Sequence, residues 1–525
     1  MKKYFSVLSQ KFSWYTWVLI ALLCVGIFLR TYNFHDFLRF NADQSRDAGI
    51  ASDVIDGKES LPLLGPKAGG TNFRVGPAFY YFQIASAKIF GNTPDKMAYP
   101  DLLFSILAIP LLFFFLRKYF DVKTALALTA IFVVSAYAIK YSRFAWNPNS
   151  LPFWSLLFLY SLHEIIIARE NAWKWWAVAT GVTLGTGVQL HSLSLLLFPV
   201  MALGVFGYLL YQKRKNVWKI VFVSCFVALS LNIPQIASEI KTGGENTRAF
   251  LKSIETKEKK GSGLVANIEK TIVCFSQSST YILSSYDSSD TCESKTITRG
   301  YGLPAFASGL ILFVGGFFLT LRSYRKETEY VKKAFLCIVI CFTGLTFLLL
   351  IPLANEISMR FFLITLFVPF VFLGIWLKYI RGVFPRVGSA LAWSIVAILV
   401  GMNVASVEKT FATYESYLAD STAGMDNVLL KEVELSSAFI IAHTPDAKVV
   451  AVDGDAKYLF KALKSMQYFT SRSGIKLIQK KKSTDPSVPV FLIENSKNRD
   501  KILSRQTNVG EYLTFGRFTI FSLKP

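Results

Sequence analysis

Charge is what this chain is short of. Only 18% of its 525 residues are Asp, Glu, Lys or Arg, where a soluble chain carries about 25%. With 52% hydrophobic and 15% aromatic residues and a mean hydropathy of +0.40, that deficit excludes an ordinary soluble protein. Cysteine is also sparse, and the six show no zinc-ligand spacing. Cys24, Cys225, Cys337 and Cys341 fall in apolar blocks and read as packing residues; Cys274 and Cys292 share a polar loop and could pair in an oxidising compartment. No Gly-x-x-x-x-Gly-Lys-Ser/Thr loop occurs, so ATP is not indicated. Neither a His-Glu-x-x-His motif nor a Ser/His/Asp set is evident, and there is no internal repeat. The first apolar run follows Lys2, Lys3 and Lys11 and ends on Arg30-Thr31-Tyr32 rather than on small residues, which predicts an uncleaved first span.

What is present is a series of apolar blocks, each near the roughly 20 residues that cross a hydrocarbon core. They predict about eleven spans, at 14–30, 99–116, 124–141, 151–167, 173–190, 193–211, 217–235, 302–321, 333–351, 360–377 and 388–406. The fold class is therefore mainly α: a polytopic membrane helix bundle, residues 1–406, followed by a small α/β domain, residues 407–525. In the latter, Lys448–Val452, Val488–Ile493 and Phe515–Phe521 read as strands and Lys457–Phe469 as a helix. The net charge of +22 would suggest nucleic acid in a soluble protein. Here Lys and Arg crowd the short loops at 117–123, 168–174, 212–219, 322–333 and 378–386 and are few in the turns at 140–149, 190–193 and 352–360. That is the positive-inside pattern, so membrane lipids and not nucleic acid are the expected partner of the charge. It puts the N-terminus in the cytoplasm and the C-terminal domain outside the cell membrane. The block 76–91 is too short to span and contains Lys88; it predicts a helix lying at the outer interface. Two outer segments are long, 31–98 and 236–301. The second carries Lys257-Glu258-Lys259-Lys260 and a Ser-rich stretch, Ser276 to Ser289, and suits either a solvated loop or a flap over a site.

Four polar clusters fall on the predicted outer side. Asp43 and Asp47 flank Arg46 just past the first span, and ionised groups beside a bilayer are costly enough to mark candidate sites. A glycine-rich loop, Lys67 to Pro77, holds Lys67, Asn72 and Arg74 but lacks the strand–turn–helix frame of a phosphate loop. The turn Tyr141-Ser142-Arg143-Phe144-Ala145-Trp146-Asn147-Pro148-Asn149 joins two spans, and Asn355 to Arg360 opens another. Arg143 and Arg360 also suit simple snorkelling to headgroups, and Asn147-Pro148 a helix start. His191 sits at a further outer turn, where it also suits a helix end. Asp453-Gly454-Asp455 has an acid-x-acid spacing, but Asp-Gly after a strand is an ordinary turn signal.

Together these residues resemble the multi-span glycosyltransferases of the GT-C fold that use lipid-phosphate-linked sugars, and within them the family-39-like proteins related to protein mannosyltransferases. The resemblance rests on Asp43-Gln44-x-x-Asp47, Leu64-Gly65-Pro66, Gly76-Pro77-x-x-Tyr80-Tyr81, Ser142-Arg143-Phe144-x-Trp146-Asn147-Pro148-Asn149-x-x-Pro152, Gln189-x-His191 and Arg360-Phe361. It implies a polyprenyl-phosphate-linked sugar donor, an unspecified glycan, lipid or protein acceptor, and Asp43 as catalytic base. Gln44 departs from it, since many relatives have Glu there. Asn147 and Asn149 stand where an Asp is frequent, which leaves a divalent metal open and no other cofactor indicated, hard cations preferring charged oxygen. Substrate-binding roles are expected of Gln44, Asp47, Arg74, Tyr80, Arg143, Asn147, Asn149, His191 and Arg360. Displacing a lipid phosphate from an anomeric carbon needs one base for the incoming hydroxyl and cations for the departing phosphate. Asp43 suits the first part, and Arg143, Arg360 and Arg74 the second. A lipid-sugar transporter, or an inactive relative of the fold, is the alternative.

Overall fold

The computed structural model describes residues 13–168, 172–258, 263–286, 292, 302–419, 427–483 and 485–524. The expected N-terminal lysines and parts of the 257–260 and 276–289 stretches lie outside these. The chain opens with α1 (Trp14–Thr31), whose apolar sequence is exposed over most of its surface, as lipid contact requires. Two helices of the long segment 31–98 follow, α2 (Ala42–Ile55) and α3 (Ala78–Phe90). Helix α3 has 13 residues, about 20 Å, too short for a bilayer. The bundle continues through α4 (Tyr99–Leu116), α5 (Val122–Val134), α6 (Ala136–Ser142), α7 (Leu151–Ile167), α8 (Trp173–Gly187) and α9 (Ser192–Tyr211). Next come α10 (Val217–Leu231), α11 (Ile233–Thr242), α12 (Glu245–Glu258) and α13 (Leu264–Ser284). A span from Gly302 to Lys326, α14, carries a π turn at Ile311–Gly315. Then come α15 (Tyr330–Leu350), α16 (Val368–Val383) and α17 (Gly388–Ala419).

Among the described residues six helices are long and apolar enough to cross a membrane, or eight when the bent pairs α5–α6 and α10–α11 each count as one span. The protein is an integral membrane protein. The remaining expected spans, 151–167, 173–190 and 360–377, are helical but shorter or interrupted, the last opening on a 3-10 turn at Met359–Leu363. The α5–α6 pair bends by 54° at Ser135. Ser135 donates to the Ile282 carbonyl at 2.8 Å, and Asn403 of α17 accepts from the Ala136 amide at 3.2 Å. A backbone carbonyl of α13 and a side chain of α17 therefore hold the bend open just before the turn that follows Ser142.

After α17 the chain builds α18 (Leu430–His443), β1 (Val449–Gly454), α19 (Ala456–Arg472), β2 (Lys476–Gln479), β3 (Val490–Asn495), α20 (Arg499–Arg505), β4 (Val509–Phe515) and β5 (Phe518–Leu523). The sheet order is β2-β1-β3-β5-β4, parallel across the first three strands and antiparallel beyond. The stretch expected as one closing strand, Phe515–Phe521, is a hairpin corner. Gly516 takes φ +48° and Arg517 turns inward, fully buried, onto Glu432 at 2.6 Å with its guanidinium 3.8 Å over the Tyr417 ring. A buried cation tolerates that position only because a carboxylate and an aromatic face meet it there. Asp455 caps α19 through the Lys457 and Tyr458 amides, so the Asp-Gly-Asp run is a turn and cap.

The tail domain docks on the segment 31–98. Phe40 exchanges backbone contact with Val428, Leu430 donates to the Leu38 carbonyl, and Ser465 of α19 donates to the Phe40 carbonyl at 2.7 Å. Phe40 packs edge-on against Tyr468 and Phe469, and Ser52 of α2 meets the Tyr468 hydroxyl at 3.1 Å. Helix α2 is thus held between the bundle and the tail.

Candidate functional site

Asn41 and Gln44 form a reciprocal capping box that starts α2, with the Gln44 carboxamide accepting from the Asn41 amide at 3.1 Å. Gln44 is buried in that role. One turn on, Asp47 is fully buried and receives both arms of Arg46, from Nε at 2.9 Å and Nη2 at 3.1 Å, together with the Tyr80 hydroxyl of α3 at 3.0 Å. Burial pushes the Asp47 carboxyl up to about 6 against the opposing pull of these partners. Burial and the neighbouring carboxylate push the Tyr80 phenol well above its usual range. The remaining Arg46 nitrogen, Nη1, donates to Asp43 at 2.9 Å. The two carboxylates are therefore unlike: Asp47 is saturated and dry, whereas the Asp43 side chain is 58% exposed and, among the described residues, holds a single hydrogen bond.

Asp43 and Arg46 form one wall of a cavity of 490 Å³. The opposite walls are Lys67 to Thr71, the turn Trp146-Asn147-Pro148, His191 with Ser192, and Glu356 with Arg360 and Phe361. Four sequence clusters far apart in the chain thus share one volume. Each reaches it for a local reason. The glycine-rich loop is a small hairpin, with backbone bonds Gly65 to Val75, Val75 to Pro66 and Ala68 to Phe73. A Cβ on Gly65 would stand 2.2 Å from the Gly76 carbonyl oxygen, so the two strands close only on glycine. Gln189 fixes the hairpin's base, accepting from the Ala78 amide and donating to the Gly185 and Leu231 carbonyls. Asn246 of α12 brackets Arg74, accepting from its amide at 2.8 Å and donating to its carbonyl at 2.9 Å, and Phe250 packs on Phe73. The described part of the segment 236–301 is thus helical and grips the hairpin.

Asn147 donates to the Leu190 carbonyl at 2.6 Å, which ties two of the cavity's turns together. Asp101, in the first turn of α4, accepts from the Trp146 amide at 3.0 Å and fixes the same turn from below. The Arg360 guanidinium lies 5.3 Å over the Trp146 ring. His191 caps α9, its Nδ1 accepting from the Leu193 amide at 3.1 Å, and its ring meets Phe361 edge-on. With Nδ1 so used, a neutral His191 carries its proton on Nε2.

Of the residues singled out in the sequence, Asp43, Asn147, His191 and Arg360 line this cavity. Asp47 and Tyr80 lie behind its wall and hold Arg46 in place. Gln44 caps α2, and Arg74 donates to the Gly65 carbonyl within the hairpin. Asn149 is buried and donates to the Phe144 carbonyl. Arg143 does not reach the cavity. It is 4% exposed and donates to the carbonyls of Leu29, Arg30 and Tyr32, closing the C-terminus of α1. The last turn of a helix leaves carbonyls without internal partners, and a guanidinium fork meets three of them here. Arg46, Lys67, Glu356 and Asp101 were present in the sequence but carried no assigned role. An acid inside the first turn of an otherwise apolar span is the signal by which Asp101 could have been found. Among the described residues no group of three or more His, Cys, Asp or Glu side chains is placed to hold a metal ion. Cys274 and Cys292 are both buried free thiols in mutual hydrogen-bonding reach.

Comparison with known proteins agrees with this architecture. The family described as dolichyl-phosphate-mannose-protein mannosyltransferase matches residues 74–237, which include the hairpin's second strand, the Trp146 turn and His191. Among solved structures, the chain superposes on ArnT from Cupriavidus metallidurans with a TM-score of 0.53 at 11% identity, covering 97% of this chain and 98% of that one. It superposes on the oligosaccharyltransferase of Archaeoglobus fulgidus with a TM-score of 0.55 at 12% identity, covering 97% and 74%. No protein with a curated description matches by sequence. The chain is a membrane protein of the GT-C fold, the fold expected from its sequence motifs.

Proposed function

We propose that the protein is a glycosyltransferase that moves a sugar from a polyprenyl-phosphate carrier to an acceptor hydroxyl on the outer membrane face, by inverting single displacement. The observation that carries this reading is the union, in one cavity, of a singly bonded exposed carboxylate, Asp43, with the cations Arg46, Lys67 and Arg360. The description of the matched family, which names a dolichyl-phosphate sugar, supports the donor class. The excess of Lys and Arg in the opposite loops supports the outer side.

In this reading the acceptor oxygen gives its proton to Asp43 and attacks the anomeric carbon. The bond from that carbon to the phosphate oxygen breaks, and its electron pair leaves with the lipid phosphate. The phosphate departs as a stable anion, so no acid is required on its side, unlike the paired carboxylates of glycoside hydrolysis. Arg360 and Lys67 receive the developing charge. Arg46, held by Asp47, fixes the Asp43 carboxylate toward the cavity. Asn147, His191 and Glu356 are at hand for sugar hydroxyls. A test is transfer from synthetic polyprenyl-phosphate sugars by protein in lipid nanodiscs. The expected result is loss of transfer in Asp43→Asn and Asp43→Ala; undiminished transfer by both variants overturns the assignment.

A further inference from the structure

A second cavity, of 780 Å³, lies on the other side of α2, between that helix and the tail domain. Its walls are α2 from Ala42 to Asp53, one face of α19, and the start of β2. Asp43 and Arg46 line both cavities, so the two spaces meet at the proposed base. The charges facing the second space are lopsided. Lys464, Lys476 and Lys482 line it, all exposed, and among the described residues none of the three has a carboxylate partner. Arg472 joins them and is only loosely paired, 3.9 Å from Asp56. Against these stand Asp43 and Asp53. Lys480, which does not line this space, faces Asp453 at 3.6 Å instead. Like charges gathered without counter-charge repel one another, and an anion between them relieves that repulsion.

We infer that this groove is the acceptor site and that it takes an anionic glycan, one bearing carboxylates or phosphates along a sugar chain; the acceptor role rests on the transferase reading above. An inverting displacement requires the nucleophile to approach opposite the leaving group. A donor in the first cavity and an acceptor hydroxyl entering from the second would reach Asp43 from its two sides. The lysines come from α19, β2 and the residues after it, and Asp43 from α2, so the lysines would hold the chain's charges while a hydroxyl meets the base.

The test is binding of fluorescent oligogalacturonate to the full-length protein in neutral-lipid nanodiscs, with maltohexaose as the uncharged probe and phosphatidylglycerol vesicles as the lipid one. Oligogalacturonate should bind, with an affinity that falls as salt rises, and maltohexaose should bind far more weakly. The triple variant Lys464→Gln/Lys476→Gln/Lys482→Gln should bind oligogalacturonate about tenfold more weakly, as three partly screened charge contacts imply. The corresponding triple Arg variant should restore binding. Asp43→Asn, which leaves the lysines in place, should bind at least as tightly as the parent. Equal binding of both oligosaccharides, or wild-type affinity in the triple Gln variant, overturns the inference. So does a triple Gln variant that loses only vesicle binding. Lysine-dependent glycan binding without transfer from any donor would leave the anionic-glycan groove standing and remove the transferase reading; transfer with no lysine dependence would do the reverse.

Discussion

The cavities on either side of α2 share an edge and differ in almost everything else. The first is walled by turns of the bundle and carries charges of both signs, with Asp43 and Glu356 facing Arg46, Lys67 and Arg360. The second is walled by the tail domain and is biased to lysine. A near balance of charge suits a space where charge moves from one group to another; a larger surplus of cations suits a space that holds an anion. In the proposed reading, chemistry falls on the bundle side and recognition on the tail side, with α2 as the shared wall. That wall must not move, and the packing agrees: Asp47 ties it to α3 through Tyr80, while Phe40 and Ser52 tie it to α19.

The largest expected effect separates the two spaces directly. Asp43→Asn should lower transfer by about 10²–10⁴-fold, the range for loss of a general base, while glycan binding on the tail side persists. Steady-state transfer and equilibrium binding, measured on the same preparation, check it. The next effect contrasts two arginines that looked alike in sequence. Arg360→Ala should cost about 10²-fold in transfer, as loss of one charge-stabilising donor does, with thermal stability nearly unchanged. Arg143→Ala should do the opposite. It leaves three helix-end carbonyls without their partner and should cost roughly 2–4 kcal/mol in stability, with turnover per folded molecule largely kept. Thermal unfolding alongside transfer distinguishes the two; equal behaviour would mean that the cavity and the helix cap are one functional unit.

Those two arginines also show how far the sequence could be read. Both stand at span ends among polar residues, and linear spacing contains nothing that sends Arg360 over Trp146 and Arg143 onto the carbonyls of α1. The turn that carries Arg143 follows the 54° bend at Ser135, which is held by Asn403 and Ile282, residues more than a hundred positions away. Helical blocks and the α/β tail were legible because hydropathy and alternation are local signals. The hairpin at 65–76 was legible only as a glycine-rich loop, since its pairing needs Gln189 and Asn246. In the same way the motif Asp43-Gln44-x-x-Asp47 shows two acids and not which one is dry. Burial separates them, and burial is set by Tyr80 and the packing of α3. Asp101 passed unnoticed because an apolar span hides one acid unless its partner, the Trp146 amide, is in view.

The separation of Asp43 from Asp47 leads to a smaller effect. Burial raises the Asp47 carboxyl to about 6. Its protonation as pH falls through that value breaks the charge-assisted pair with Arg46 and loosens the hold on Asp43. Transfer should therefore decline on the acid side of about pH 6, and Asp47→Asn, which mimics the protonated form, should lack that limb. At neutral pH the variant should run about fivefold slower, equivalent to roughly 1 kcal/mol for a pair whose arginine is half exposed. A pH–rate profile of both proteins measures this; an unchanged acid limb in Asp47→Asn would assign the titration to another group.

The smallest effect concerns the tail's grip on the segment 31–98. His35 lies between Asp36, 3.1 Å from Nδ1, and Glu434 of α18, 3.4 Å from Nε2. The hydrogen bond to Glu434 is the largest influence on it; partial burial opposes and the acidic neighbours add, raising the imidazole from 6.5 to about 9. A raised pKa of this kind means that the folded protein holds the proton more tightly than the unfolded chain. The stabilisation is complete below about pH 6.5 and is lost as pH climbs toward about 9. His35 is nearly half exposed, so solvent screens the pair and the effect is modest. Hydrogen exchange in α18 should therefore quicken by a small factor between those pH values once the intrinsic rate is corrected, and the change should vanish in His35→Gln. Because α18 and α19 belong to one domain, the same alkaline loosening should weaken glycan binding in the lysine groove more than it weakens Asp43-dependent transfer to a small neutral alcohol. If both decline together, the bundle and the tail do not divide the work as their charges suggest, and α2 transmits the loosening instead of isolating it.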